Sequence, residues 1–382
     1  MLSHQPLGLY VHMPWCVRKC PYCDFNSHAL KGDLPAQEYL EALVLDLEQD
    51  LRLAWGRPVG SVYFGGGTPS LFSADHIDTL LSRFRGLLHI SPDAEITLEA
   101  NPGTIERDSF SGYRQAGITR VSLGAQSFDD DSLRRIGRIH ASDEIRQAVE
   151  SLHSAGMSNF NIDLMYGLPG QTVAKAVSDV ERGLACGPAH VSHYNLTLEP
   201  NTVFAADPPP LPDEEHCWEM QEACGALLAE AGFENYEISA WARPGRTCRH
   251  NLNYWRFGDY LGIGAGAHGK LSLPGEDRIL RIAKQRHPRR YLAAREDGSW
   301  RADTRELDAA ERLFEFFLNR LRLAEPVPKA AFSAATGLPA ESLAPYVETA
   351  VKRGLLEDRG DSLVQTDFGR RFNNDLQEVF LP

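Results

Sequence analysis

The chain has no apolar run approaching the roughly 20 residues that a membrane-spanning helix requires, and no apolar leader of the secretory kind. It is also poor in cysteine. Seven in 382 residues is a sparse and odd number, which argues against a disulfide-stapled secreted domain. The expected compartment is the cytoplasm. Positive charge is in deficit, with 39 Lys and Arg against 52 Asp and Glu and a net charge of −13, so nucleic acid is not an expected partner. Internal repeats and low-complexity tracts are missing, apart from the stiff Pro208-Pro209-Pro210 linker. What remains, 43% hydrophobic and 24% charged residues, is the composition of a globular enzyme large enough for a barrel-sized unit and a second, smaller one.

Three of the cysteines stand together. Cys16, Cys20 and Cys23 are spaced four and then three apart, directly after the apolar run Leu7 to Pro14. A zinc site commonly draws four ligands from two separated pairs, and the sequence holds no second CxxC. Three thiolates on one loop suit three corners of an iron–sulfur cube, a cluster usually held by four cysteines. One iron is then left open to a small molecule. A zinc or redox thiol remains the alternative.

Leu7 to Pro14 reads as a buried strand, and strands and helices alternate after it. Helices are expected at Ala36–Leu53, His76–Leu88, around Ile105–Gly117, at Glu144–Ala155 and at Val173–Ala185. Between them lie strands at Ser61–Phe64, Glu95–Glu99, Arg120–Leu123, Asn159–Met165 and His190–Leu198. This alternation predicts a parallel sheet with right-handed crossovers; periodicity alone leaves an open sheet and a partial barrel both standing. In either, reactive loops gather at the C-terminal ends of the strands. The residues there include Gly65-Gly66-Gly67-Thr68-Pro69, Glu99, Gln126 and Asp163. The glycines allow a ligand close approach to backbone, although a plain tight turn reads the same way. Buried carboxylates are costly unless paired, which marks Glu99 and Asp163 as ligand contacts.

A helix is expected over Asp213–Gly232 and a strand over Tyr236–Trp241. The stretch Cys248 to Gly269 is rich in glycine and aromatics, and it predicts an ordered loop over the open face. Within it, Gly262-Ile263-Gly264-Ala265-Gly266 lacks the following amphipathic helix of a dinucleotide fingerprint; its glycines are expected to lie against a bound adenosine or a porphyrin. The pair Cys248 and His250 is a weak metal candidate, and His268 a further ligand contact or a satisfied loop histidine. Beyond about residue 300 the pattern is that of a small helical unit with a β-wing at Ser362–Thr366, so three parts are expected: 1–205, 206–300 and 301–382.

The cysteine loop, the GGGTP turn, Glu99-Ala100-Asn101-Pro102, Gln126-Ser127-Phe128, Arg138 and the Asp163 to Pro169 segment, taken in order, resemble the radical S-adenosylmethionine superfamily. More narrowly they resemble the oxygen-independent coproporphyrinogen III oxidase family, over nearly the full length. The resemblance implies an α/β fold: a partial (β/α)6 barrel, a connecting region and a small winged-helix-like C-terminal domain. It implies a 4Fe-4S cluster on Cys16, Cys20 and Cys23, with S-adenosylmethionine chelating the open iron. It also implies cofactor contacts from Tyr10, Tyr22, Gly66, Gly67, Thr68, Glu99, Gln126, Arg138 and Asp163. An Arg suits a carboxylate, and an Asp suits ribose hydroxyls.

The family has an oxidase branch and a heme-chaperone branch. Oxidases of this family have a fourth cysteine two residues after the third, where this chain has Phe25, and a longer segment ahead of the cluster. His250-Asn251-Leu252-Asn253-Tyr254-Trp255 resembles the HNxxYW motif of the chaperones. Imidazole is a common heme ligand, and aromatics pack on porphyrin faces, so His250, Asn251, Tyr254 and Trp255 are candidate heme contacts. The bland reading is a structural loop with His250 bonded to backbone. The expected function is a heme chaperone that passes heme to membrane-associated respiratory proteins. The alternatives are radical decarboxylation of coproporphyrinogen III and a cluster that is only structural, for instance within a homodimer.

Overall fold

In the computed structural model, which describes residues 1–54, 56–103 and 110–381, the apolar run forms β1 (Leu7–Met13), buried at every position but Tyr10. Such two-sided burial belongs to the middle of a parallel sheet. The chain continues through α1 (Ala36–Asp50), β2 (Val59–Gly66), α2 (Ala74–Leu87), β3 (Ile90–Ala100), α3 (Phe110–Ala116), β4 (Arg120–Gln126), α4 (Asp130–Arg135) and α5 (Ser142–Ser154). After these come β5 (Phe160–Tyr166), α6 (Val173–Ala185) and β6 (His190–Asn195). The start expected for α3, at Ile105, lies outside the described residues.

The second half departs from expectation. Past α7 (Val203–Ala206) and α8 (Glu214–Glu230), the strand expected at Tyr236–Trp241 is a tight hairpin, β7 (Glu234–Glu237) and β8 (Ala240–Ala242). The HNxxYW segment is a helix, α9 (Arg249–Trp255), and not a loop. It is followed by three strands, β9 (Asp259–Ile263), β10 (His268–Leu273) and β11 (Arg278–Lys284), then α10 (Pro288–Ala293) and β12 (Arg301–Glu306). At seven residues α9 is too short to display a helical repeat. Glycine hides β9 in the same way: a Cβ on Gly262 would stand 1.8 Å from the His268 carbonyl oxygen.

One sheet of 12 strands results, in the order β12-β11-β10-β9-β1-β2-β3-β4-β5-β6-β8-β7. The strands from β9 to β6 are parallel, so β9 adds a seventh parallel strand beside β1, and both flanks are antiparallel. Register places Met13 opposite Gly66 and Tyr10 opposite both Tyr63 and Gly262. The C-terminal unit begins at α11 (Ala309–Arg320), capped by Asp308, and carries a three-stranded sheet of Val327–Pro328, Ser362–Gln365 and Leu356–Asp358. The unit closes with two short helices, Asp367–Arg371 and Asn373–Glu378. This unit shares its core with the body, because Leu2, Phe257 and Ile279 are buried among Phe316, Phe317 and Phe332. Among the described residues no helix is long and apolar enough to cross a membrane.

Candidate cofactor site at the strand ends

The cysteine loop leaves the end of β1 and is tied back onto the sheet. Trp15 and Cys16 pair with His28 and Ala29 in a short parallel ladder that closes the loop at its base. At the far side Asn26 Nδ2 donates to the carbonyls of Ala265 and Arg286, both at 2.8 Å, and Asn26 O meets His12 Nε2 at 3.0 Å. The glycines of the 262–266 turn therefore face protein: a Cβ on Gly266 would lie 2.2 Å from Asn26 Nδ2, and one on Gly264 2.4 Å from His12 O. Gly262 and Gly264 thus face protein alone, while Gly266 also borders a cavity.

All three loop cysteines are free thiols, partly exposed. Cys23 Sγ lies 3.6 Å from Ser27 Oγ, and Arg138 Nη1 donates to Cys20 Sγ at 3.8 Å. Burial raises the pKa of Cys16 and of Cys23, so metal binding must displace their protons. Among the described residues no three His, Cys, Asp or Glu side chains group tightly enough for a single metal ion. Three thiols on one loop without a fourth fit a cluster in which each thiolate takes its own iron.

The cradle beside them is built from neighbouring strand ends. Gly66 has φ of +110°, and a Cβ there would reach within 2.4 Å of the His12 ring, so only glycine fits. Glu99 Oε1 accepts from the Tyr63 hydroxyl at 2.9 Å, and burial raises its pKa to about 7. Asp163 accepts from Asn161 Nδ2 at 2.7 Å and from Ser122 Oγ at 3.2 Å; burial raises its pKa as well. Gln126 adopts φ of +71° and accepts from the Tyr194 hydroxyl at 2.6 Å. A non-glycine residue in that region costs on the order of 1–3 kcal/mol and is kept where surroundings demand it. Arg138 Nη2 donates to Gly124 O at 2.7 Å, while its buried Nε has no partner among the described residues.

A cavity of about 690 Å³ opens in front of these groups. Cys16, Cys20, Cys23, Tyr22, Gly66, Gly67, Thr68, Glu99, Gln126, Arg138 and Asp163 all line it, and since side chains from β2 through β8 do so, the sheet curls around it. Tyr10 is the exception: its hydroxyl meets His12 Nδ1 at 3.0 Å, and it faces a second cavity of about 730 Å³ on the far side of Phe25. The HNxxYW motif divides between the two. Asn251 and Trp255 reach the first, and Tyr254 and Trp255 reach the second. His250 reaches neither, being 1% exposed, with Nδ1 bonded to Ser61 Oγ at 2.8 Å and Nε2 to the Tyr254 hydroxyl at 2.9 Å. Burial holds its pKa down at about 3. As placed, neither ring nitrogen faces a ligand. Cys248 is buried as well, its thiol pushed up to about 12 by burial, and among the described residues it and His250 have no third metal-binding side chain grouped with them.

Sequence reading missed the floor of the first cavity: Arg120, Asn161, His190, Ser192, Tyr194, Glu237 and Arg322. The signal was present as polar residues on alternate positions, Arg120 and Ser122 on β4 with Gln126 beyond Gly124, Asn161 and Asp163 on β5, and His190, Ser192 and Tyr194 on β6.

The radical SAM superfamily profile matches residues 10–182, and that of the HemN C-terminal domain matches residues 307–372. The heme chaperone HemW of Escherichia coli (strain K12) is 47% identical over 381 residues, covering 100% of both chains. The chain belongs to the HemW family. HemW of Haemophilus influenzae is 47% identical, covering 98% of both chains, and HemW of Bacillus subtilis is 32% identical over 97% of this chain and 98% of its own. In fold the chain matches the structure of the E. coli coproporphyrinogen III oxidase HemN, with a TM-score of 0.83, 24% identity and coverage of 99% and 90% of the two chains. HemW proteins belong to the radical SAM superfamily, which implies a 4Fe-4S cluster and S-adenosylmethionine; the three thiols and the cradle suit that pair.

Proposed function

We propose that this chain is a heme chaperone of the cytoplasm, which keeps a 4Fe-4S cluster on Cys16, Cys20 and Cys23, binds S-adenosylmethionine, and passes heme to membrane-associated respiratory proteins. The observation that carries it is the residue beyond the cluster loop. Phe25, 58% exposed, stands where the related oxidases have a fourth cysteine, and it forms part of the wall of both cavities.

Tyr22, Gly66, Gly67, Thr68, Glu99, Gln126, Arg138 and Asp163 are assigned to S-adenosylmethionine, and Tyr10 is assigned to holding His12. Bound together, cluster and S-adenosylmethionine supply one-electron chemistry. The residues bind and orient: the Gly66–Gly67 edge and Glu99 suit an amine, Arg138 a carboxylate, and Asp163 a ribose. The HNxxYW helix supports the heme site through Tyr254 and Trp255, with His250 as its internal brace. Residues 1–205 carry the cofactor-binding unit and 206–300 the connecting part, while the cover, expected from 301, starts at α11, because Arg301–Glu306 is an edge strand of the main sheet. A homodimer is a further partner state, read by sedimentation of cluster-loaded protein.

The test pairs two assays. Anaerobic, cluster-loaded protein titrated with heme is expected to form a stoichiometric complex that surrenders heme to an acceptor apoprotein. The same protein given S-adenosylmethionine, reductant and coproporphyrinogen III is expected to form no protoporphyrinogen IX. Decarboxylated product without a heme complex overturns the reading.

A further inference from the structure

Resting on the heme-chaperone reading, we propose that heme is held in the second cavity, with His268 as the iron ligand and Arg286 meeting a propionate. The cavity lies between the cysteine loop and the outer strands β9 to β11. Its volume, about 730 Å³, is within the ~300–1,000 Å³ usual for small-molecule sites.

Three observations converge on a planar, anionic metalloporphyrin. His268 opens β10, is exposed, and its imidazole has no hydrogen bond among the described residues, the opposite of His250. Burial of part of the ring, then the charges of Arg281 and Arg286, pull its pKa below the usual value. The shift favours the neutral ring, the state that coordinates iron. Cationic groups sit on the same rim. Arg281 is committed to Glu315 and to the Tyr260 hydroxyl, but Arg286 is exposed and in no ion pair among the described residues. A guanidinium pairs well with a carboxylate.

The walls are aromatic. Phe25, Tyr254 and Tyr260 line the cavity, the two tyrosine rings meeting edge to face with centroids 4.5 Å apart. Asn26 fixes the arrangement, since its side chain holds Arg286 O and its backbone continues from Phe25. The loop that carries the cluster cysteines thus supplies one wall of the heme groove. The site was legible only as a lone loop histidine, because Arg286 and Phe25 are brought to it by β10–β11 pairing and by Asn26.

The experiment uses full-length, cluster-loaded protein titrated with hemin and, separately, with metal-free protoporphyrin IX, followed by Soret spectrum and affinity. In His268→Ala the hemin Soret band is expected to shift and hemin affinity to fall at least tenfold, while protoporphyrin IX binds as in the wild type. Arg286→Gln is expected to weaken both ligands about fivefold with no Soret shift. His268 is exposed, so iron content and circular dichroism should match the wild type. If the wild type binds hemin stoichiometrically and His268→Ala leaves its Soret band and affinity unchanged, this site is wrong and the chaperone reading stands. If the wild type binds no hemin, both fall.

Discussion

The Gly66 amide donates to Glu99 Oε2 at 3.1 Å, so the glycine turn that ends β2 and the carboxylate near the end of β3 form one unit. The same turn is packed against His12, whose ring is held by the Tyr10 hydroxyl and the Asn26 carbonyl. Cradle and cysteine loop are therefore positioned by one set of contacts.

Substituting Gly66 by Ala tests this coupling. Its positive φ and the His12 ring 2.4 Å from a built Cβ give an expected loss of about 1–3 kcal/mol. Thermal unfolding should show the lower midpoint, and iron analysis a reduced cluster content.

Glu99 makes the apo protein's stability depend on pH. Its pKa is raised from 4.5 to about 7 by burial, so the folded chain holds a proton that the unfolded chain releases. The stabilisation is fully present below pH 4.5 and is lost as pH rises through about 7. The full effect is on the order of 3 kcal/mol. Denaturant titrations between these limits should show stability falling with pH, and Glu99→Gln should flatten that slope.

Arg138 has a buried Nε without a partner among the described residues and hydrogen bonds to Gly124 O and Cys20 Sγ. Replacing it with Gln removes a charged donor worth about 1.5–3 kcal/mol to a carboxylate. S-adenosylmethionine affinity measured by equilibrium dialysis should fall at least tenfold. Equal affinity in the variant refutes the assignment.

Much of this was readable in the chain and some was not. The six strands from β1 to β6 and the helices between them, apart from the short α4, follow apolar patterning, and Gly66, Glu99 and Gln126, proposed for the cofactor, lie at or near strand ends, where parallel topology gathers reactive loops. The strand at Asp259–Ile263 escaped because its glycines carry no side-chain pattern, and its place beside β1 is a long-range pairing that no local spacing announces. For His250 the sequence leaves a heme contact and a structural role both open, because it shows residue type but not direction; the partner Ser61 is 189 positions away.

Lys284, behind the wall of the second cavity, offers a test of the core. It is fully buried, bonded to Asp46 and, at 2.7 Å, to Asp50, while Asp46 also accepts from the Gly264 amide at 3.2 Å. Lys284→Met leaves the buried Asp46 without its cation, while Asp50 keeps Arg301, whose Nε donates to it at 3.0 Å; the expected cost is about 3–5 kcal/mol. Urea unfolding measures it.

The aromatic core of the C-terminal unit includes Leu2 near the chain's start and Phe257 from the turn after α9. A protease that cut between β12 and α11 would not free a tail and leave a sound body. It would strip the cover from Phe257 and Ile279, both 0% exposed, so the two fragments should stay associated through a gel-filtration column and separate only in denaturant.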